Sequence, residues 1–239
     1  MKYSGSLVKR ERAEIFKLFL TAQRLKFSEI EKQLSIRSNM VAYHLMSMVK
    51  EGLLLKKGDS YELTAQAEKY IPIFSHVTGS ETSPLPVVLV AVFHKKNILL
   101  IERVKRPYKG YLSLIGGKML MEEDIVRASI RHVQEKTGLE ASFVSTNAIL
   151  QEHVYDAASG SVKHSFILFF VRAVVASEEV RESPHGPLKW FTPKEFAELR
   201  NVIPSDWWLL KNKLGSQIDM DTARMVDDQG TLKDFRMLS

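Results

Sequence analysis

The chain reads as an α/β protein in two domains, a small helical unit closed by a β-hairpin and then a unit of strands and helices. Three observations predict this. Apolar residues recur at i, i+3, i+4 and i+7 through the first fifty residues, the period of amphipathic helices. The stretch HVTGSETSPLP at 76–86, rich in Ser, Thr, Gly and Pro, interrupts that period. Beyond it, strand-like apolar runs lie on both sides of one helical segment. The expected boundaries are 1–76 for the first domain, 77–86 for a linker and 87–239 for the second domain with a C-terminal extension.

In the first domain, Ile15, Leu18, Phe19 and Ala22 form the apolar stripe of a helix over 7–23. Phe27, Ile30 and Leu34 repeat the spacing over a short second helix that starts near Ser28. In SIRSN, Ser38 is suited to cap a third helix whose buried face is Val41, Leu45 and Met48, and Gly52 ends it. LLLKKGDSYEL follows as two short strands around a Gly58-Asp59 turn. Thr64 has the chemistry of an N-cap for a further helix reaching about Phe74.

Helix, helix, helix, hairpin, helix is the order of a winged helix-turn-helix. The run SNMVAYHLMSMVKEGLLLKKGDSYELT resembles the recognition helix and wing of bacterial and archaeal winged-helix regulators. Charge agrees. Residues 1–80 carry 13 Lys/Arg against 8 Asp/Glu, an excess of +5, and the remaining 159 residues supply only +1 of the chain's +6. A basic third beside a neutral remainder points to nucleic acid. Residues at the head of a recognition helix reach base edges in the major groove, which makes Ser38, Asn39, Ala42, Tyr43 and His44 the candidates for double-stranded DNA. Arg37 in the turn and Lys56 and Lys57 on the wing are placed for phosphates.

In the second domain VVLVAVF and NILLIERV read as strands joined by HKKN, FILFFVRAVVA as a strongly apolar strand, and GPLKWFTPKEFAEL as a strand leading into a helix opened by Thr192-Pro193. Between them lies GGKMLMEEDIVRASIRHVQEKTGL, residues 116–139. In IPSDWWLLKNKL, Trp207 and Trp208 are expected to pack a C-terminal helix. The tail ARMVDDQGTLKDFRML has a Gln229-Gly230 turn between semi-apolar segments, which suits a final hairpin or a dimer contact.

The 116–139 stretch resembles the signature box of the Nudix family, Gly-x5-Glu-x7-Arg-Glu-U-x-Glu-Glu-x-Gly-U, with U a bulky aliphatic. Gly117, Glu123, Arg131, Val133, Glu135, Gly138 and Leu139 fall on family positions. The likeness extends to GYLSLIGGK, where Leu112 and Ile115 replace a tryptophan and a proline, and to KWFTPKEF, and it spans about residues 86–210. It implies the Nudix α/β/α sandwich, an ion pair between Glu123 and Arg131, and a C-cap at Gly138. Active members hold Mg²⁺ or Mn²⁺ on clustered glutamates and cleave a nucleoside diphosphate linked to another group.

Two of those glutamate positions carry His132 and Lys136 here. Positions 132, 135 and 136 share one helix face. An ammonium within 4–5 Å of a divalent ion opposes it by several kcal/mol at an effective dielectric of about 20. The resemblance then implies Gly116, Gly117, Lys118, Arg131, Glu135 and Lys136 as ligand-binding positions. Lys136 would stand in for the missing cation, paired with Glu135 or with a ligand's phosphates. If the domain is active, Glu135 and Glu123 are its catalytic and metal-binding carboxylates, and Glu152, Glu178 and Glu179 are the candidates for a further glutamate outside the box. Glu122 and Asp124 read as a solvated acidic loop, and His153 and His164 as hydrogen-bonded structural residues.

These readings point to a DNA-binding transcription regulator, homodimeric as winged-helix regulators usually are. Its Nudix domain senses a nucleotide-like metabolite, of the ADP-ribose or sugar-nucleotide type, and needs no cofactor. The alternative is a Mg- or Mn-dependent Nudix pyrophosphohydrolase with the winged helix as accessory, and a third reading makes both domains protein-interaction modules. Nudix-linked regulators are similar in parts but place the Nudix domain first, so their operator and effector do not carry over. With no cysteine, neither a disulfide framework nor a thiolate metal site is open to the chain. The longest apolar runs, 87–93 and 166–171, are too short to span a bilayer, and the start MKYSGSLVKRERAE is polar and basic. A cytoplasmic location without a membrane partner is the expectation.

Overall fold

In the computed structural model, residues 4–34, 36–79, 82–228 and 231–238 are described, and the chain divides into two compact units, Met1–Ser83 and Pro84–Ser239. The helix expected over 7–23 is instead two, α1 (Ser4–Leu7) and α2 (Arg10–Leu18), separated by extended backbone at Lys9. Arg12 on α2 is buried there, donating to Ser6 of α1 at 2.6 Å and to Glu51 at 2.7 Å. A buried guanidinium needs such partners, and a straight helix would carry Ser6 out of their reach.

A three-residue strand, β1 (Arg24–Lys26), precedes α3 (Phe27–Gln33), and α4 (Ser38–Lys50) follows. The end of α4 is a Schellman motif. Leu53 N–H reaches the Met48 carbonyl at 2.8 Å and Gly52 N–H that of Val49 at 3.0 Å, with Gly52 at φ +76°. Strands β2 (Leu54–Lys57) and β3 (Ser60–Leu63) form the hairpin around Gly58-Asp59, and β1 adds to it in the order β1-β3-β2. Thr64 caps α5 (Ala65–Glu68), its hydroxyl accepting from Ala67 N–H at 3.0 Å. The helix expected to run on to Phe74 stops there. Pro72 opens a 3₁₀ turn, Ile71–Ile73, before α6 (Phe74–Thr78). Ile15, Phe16, Ile30, Val41, Leu45, Met48 and Leu53 close one core. This element order and three-stranded sheet are compatible with the winged helix-turn-helix expected from the sequence. Since α6 runs to Thr78 and the next strand starts at Leu85, the connection is shorter at both ends than the linker expected over 77–86.

The second unit is built on β4 (Leu85–His94), β5 (Asn97–Glu102), β6 (Leu112–Ser113), β7 (Ile115–Lys118), then helix α7 (Ile125–Thr137), the long pair β8 (Ala141–Tyr155) and β9 (Val162–Val175), and β10 (Leu188–Phe191). The sheet order is β10-β5-β4-β9-β8, with β6 beside β5 and β7 beside β4; β4 and β9 run parallel and the other pairs antiparallel. Period-two alternation decides the layers. Val88, Val90 and Val92 of β4 face a core shared with Ile125, Ala128 and Val133 of α7. Ala91 faces the opposite core with Phe170 and with Leu209 and Leu210 of the last helix. That second face is covered by α8 (Pro193–Glu198), opened by a Thr192/Glu195 capping box, and α9 (Pro204–Lys213). The layers are α/β/α.

Of the tryptophans expected to pack α9, Trp207 is half-buried and Trp208 is 43% exposed. The tail forms a separate hairpin, β11 (Thr222–Asp228) and β12 (Thr231–Leu238). Its Gln229-Gly230 turn lies outside the described residues. A bulge opposite Met225, with Asp234 at φ +50°, shifts the alternation so that Met225, Leu232, Phe235 and Met237 fall on one face. No described helix is long and apolar enough to cross a membrane.

Candidate functional site

The box lies where β7 meets α7. Asp124 caps α7 by accepting from Arg127 N–H at 2.7 Å, and Gly138 ends it at φ +75°, where an added Cβ would strike the Arg181 side chain. Gly116 and Gly117 are required by packing. A Cβ on Gly116 would sit 2.0 Å from the Val88 carbonyl oxygen, and one on Gly117 would sit 2.6 Å from the His132 ring.

The polar face of α7 is turned onto β7. Arg131 holds Glu123 through Nε and Nη2, the latter at 2.8 Å, and also reaches Glu135 at 3.1 Å and the Lys118 carbonyl at 3.2 Å. Arg131 holds the Glu123 carboxyl down to about 2. The second Glu123 oxygen also takes the Leu120 N–H at 3.0 Å, closing the loop before the helix. The ion pair implied by the family resemblance is present, and both Glu123 oxygens are engaged in it.

His132 is buried, with Nε2 3.0 Å from the Lys118 carbonyl. A carbonyl only accepts, so Nε2 carries the hydrogen, and burial pushes the ring's pKa down. Lys136 donates its ammonium to the Gly116 carbonyl. Burial, then the charge of Arg103, lowers its pKa to about 8 against the opposing pull of Glu135. The two residues that replace glutamates thus hold two carbonyls of one strand, and the ion pair of Glu135 is with Arg131 rather than with Lys136.

Beside this clamp the sheet opens into a cavity of about 430 Å³. Its apolar wall comes from β4 and β9, with Leu85, Val87, Phe166 and Leu168. Its polar groups include Arg103, Lys105, Tyr108, Lys118, Lys136, Glu152, His164, His185 and Asp206. Of the ligand-binding positions expected from sequence, Gly116, Gly117, Lys118 and Lys136 line it. Arg131 and Glu135 lie outside its wall, as does Glu123. Of the candidate outer glutamates only Glu152 lines it; Glu178 accepts from Asn97 at 2.9 Å, away from the cavity. His153 is hydrogen bonded to Ser165 at 3.1 Å, whereas His164, expected to be structural, faces the cavity.

The fit to a divalent cation is poor. A hard cation needs several clustered oxygens. Here an ammonium sits on the Gly116 carbonyl, Glu123 is saturated by Arg131, and Glu135 is exposed beside the same guanidinium. Among the described residues no three His, Asp or Glu side chains gather as a metal would require.

Sequence reasoning missed Arg103, Tyr108 and Asp206. Asp206 is 2% exposed, receives the Leu114 N–H at 2.8 Å and has its carboxyl pushed up to about 7 by burial. A signal existed: Asp206, Leu209 and Leu210 are i, i+3 and i+4, which puts the acid on the buried stripe of α9. Tyr108 and Arg103 lie on an irregular loop, where periodicity says nothing.

In the first unit, α4 presents Arg37, Ser38, Asn39 and Tyr43 at its exposed head, with Ala42 half-buried. Two expectations fail. Ser38 is the first helical residue and donates to Glu31 instead of capping. His44 is 5% exposed and packs inward, so it is not on the outer face. With Val41, Leu45 and Met48 it completes an i, i+3, i+4, i+7 stripe, and its two ring nitrogens have no hydrogen-bond partner among the described residues. On the wing, Lys57 pairs with Glu62 at 2.7 Å, and Lys56 lies over the Tyr61 ring.

Residues 83–211 match the NUDIX domain, more than half of the chain, and the chain belongs to the Nudix family. It is 28% identical over 125 residues to a protein of Acinetobacter baylyi (strain ATCC 33305 / BD413 / ADP1) described as "ADPR responsive transcriptional repressor NtrR", a match that takes in 49% of this chain. The chain spans about half the length of that curated relative, 48%. Among solved structures it is similar to the Nudix domain of Shewanella oneidensis NrtR complexed with ADP ribose, at 16% identity and a TM-score of 0.49 over 62% of this chain and 96% of that one. A MutT protein from Bacillus halodurans is similar at 24% identity and a TM-score of 0.48, over 64% and 97%.

Proposed function

We propose that this Nudix chain is a DNA-binding transcription regulator whose second unit binds an ADP-ribose-type nucleotide without cleaving it. The observation that carries the reading is the Lys136 ammonium fixed on the Gly116 carbonyl at the cavity wall, on a helix position where the family has a metal-binding carboxylate. It supplies a built-in positive charge for a diphosphate while opposing a divalent ion. Arg103 is a second cation on the same wall, and the strip of Leu85, Val87, Phe166 and Leu168 suits a flat base. The similarity to a repressor described as ADPR responsive supports both the ligand class and the regulatory role.

In this reading the first unit lays α4 in the major groove of duplex DNA, with Asn39 and Tyr43 toward bases and Arg37, Lys56 and Lys57 toward phosphates. The protein acts as a cytoplasmic homodimer, so that two half-sites are read together. The runner-up is a Mg- or Mn-dependent pyrophosphohydrolase that uses Glu135. The test is DNA binding by the full chain. Genomic duplex fragments are selected on it, and the retained fragment is titrated with and without ADP-ribose at several salt concentrations. The expected result is steeply salt-dependent binding that ADP-ribose shifts at least tenfold. A fragment affinity indifferent to ADP-ribose would overturn the sensor.

A further inference from the structure

The loop between β5 and β6 carries a buried polar group that has no hydrogen-bond partner among the described residues. Its base is closed by backbone bonds, Arg103 N–H to the Tyr111 carbonyl at 2.9 Å and Gly110 N–H to that of Arg103 at 2.7 Å. Inside it, Arg103 Nε donates to the Pro107 carbonyl at 3.0 Å and its guanidinium lies 5.7 Å from the Tyr108 ring. Tyr108 sits at φ +65°, a conformation that costs a bulky side chain energy unless its surroundings impose it. The loop thereby turns Tyr108 into the cavity, where its hydroxyl is buried yet has no hydrogen-bond partner among the described residues. Buried polar groups are nearly always satisfied, and an orphan of this kind inside a binding cavity marks where a ligand atom belongs.

Two carboxyls share that cavity, Glu152 from β8 and the buried Asp206 from α9. Burial first, then the charge of Glu152, pushes the phenol pKa up, Asp206 adds to this, and Arg103 opposes it. Two carboxyls and a phenol oxygen form an acceptor-rich surface. Phosphates are repelled from it, whereas neighbouring hydroxyl groups donate to it well. We propose that the Tyr108 hydroxyl, with Asp206 and Glu152, takes the hydroxyl-bearing sugar end of the ligand, while Lys136 and Arg103 take its phosphates. This rests on the nucleotide-binding reading above and adds to it an orientation and a specificity residue.

Calorimetric titration of the full chain with ADP-ribose, and separately with ADP, which lacks the terminal sugar, tests the proposal in the wild type, Tyr108→Phe and Asp206→Asn. Tyr108→Phe removes only the hydroxyl. It is expected to weaken ADP-ribose about tenfold, the loss of one hydrogen bond, and to leave ADP within twofold. The unliganded variant is expected to melt at the same temperature as the wild type or higher, since an unsatisfied polar atom has been deleted; a merely structural tyrosine would lower it. Asp206→Asn is expected to discriminate against ADP-ribose in the same sense. Equal weakening of both ligands, or undiminished ADP-ribose affinity in Tyr108→Phe, would overturn the sugar assignment and leave the nucleotide reading intact. If the wild type binds neither ligand, the nucleotide reading itself is overturned, and this assignment with it.

Discussion

Helices α4 and α7 are both thirteen residues long and both bury an apolar stripe, yet they treat their polar residues in opposite ways. On α7 the side chains of Arg131, His132 and Lys136 all bond to carbonyls of β7, and Arg131 holds two carboxylates as well. At the head of α4, Arg37 and Asn39 make no side-chain hydrogen bond or ion pair among the described residues, and Met40, Tyr43 and Met46 stand exposed. A polar side chain satisfied internally belongs to the architecture, and one left unsatisfied awaits a partner. By that criterion most of the Nudix box is architecture. Lys136 is its one side chain offered to the phosphates, and the other ligand-facing groups lie across the cavity, on the β5–β6 loop, β8 and α9.

The largest effect that can break this comparison is on stability. Arg131→Ala strands Glu123 and leaves the Lys118 carbonyl to His132 alone, and is expected to destabilise the second unit by about 2–3 kcal/mol, somewhat less than a fully buried pair because both partners retain some exposure. Arg37→Ala on α4 is expected to change stability by no more than about 0.5 kcal/mol. Chemical denaturation of both variants makes the measurement. Equal losses would erase the distinction between the helices.

Next is Lys136→Met, which keeps the aliphatic stem and removes the charge. ADP-ribose affinity is expected to fall about tenfold or more, as for loss of a charge-assisted hydrogen bond. Lys136→Glu is expected to raise Mn²⁺ affinity markedly; unchanged Mn²⁺ binding would remove the built-in cation from the account.

The depressed pKa of Lys136 gives a pH dependence with a definite sign. Its pKa is about 8 in the fold against the ordinary lysine value of 10.5. Between those values the unfolded chain binds more protons, so this group's contribution to stability rises with pH over that window. Ligand affinity moves the opposite way, falling as pH passes about 8 and the ammonium is lost. Calorimetry from pH 6.5 to 9 reads this directly, and a flat profile would contradict it. The smallest effect is on α4. Arg37→Ala is expected to weaken DNA binding by about 1 kcal/mol and to lower the salt slope by about one, uniformly across sequences.

Much of this was legible in the sequence. The valines of β4, the stripe of α4 and the box with its caps all follow local periodicity or spacing, and the helix-and-hairpin order of the first unit and the α/β/α layers of the second rest on them. The break at Lys9 was not legible, because it is imposed by a distant residue: Glu51 draws Arg12 inward. Strand β1 is three residues long and gains its identity only from pairing with β3. His44 could have been placed correctly, since it completes the buried stripe; its polarity misled. For the site, spacing located the clamp residues but not what they bond to. The opposite wall, with Tyr108 and Asp206, is assembled from segments about a hundred residues apart in sequence and has no motif to announce it.

Binding without cleavage is tested most directly by incubating the full chain with ADP-ribose and Mn²⁺ at a concentration where calorimetry shows the site filled, then separating the nucleotides. The account predicts that ADP-ribose is recovered intact. Release of AMP and ribose 5-phosphate, dependent on the metal and abolished by Glu135→Gln, would contradict it.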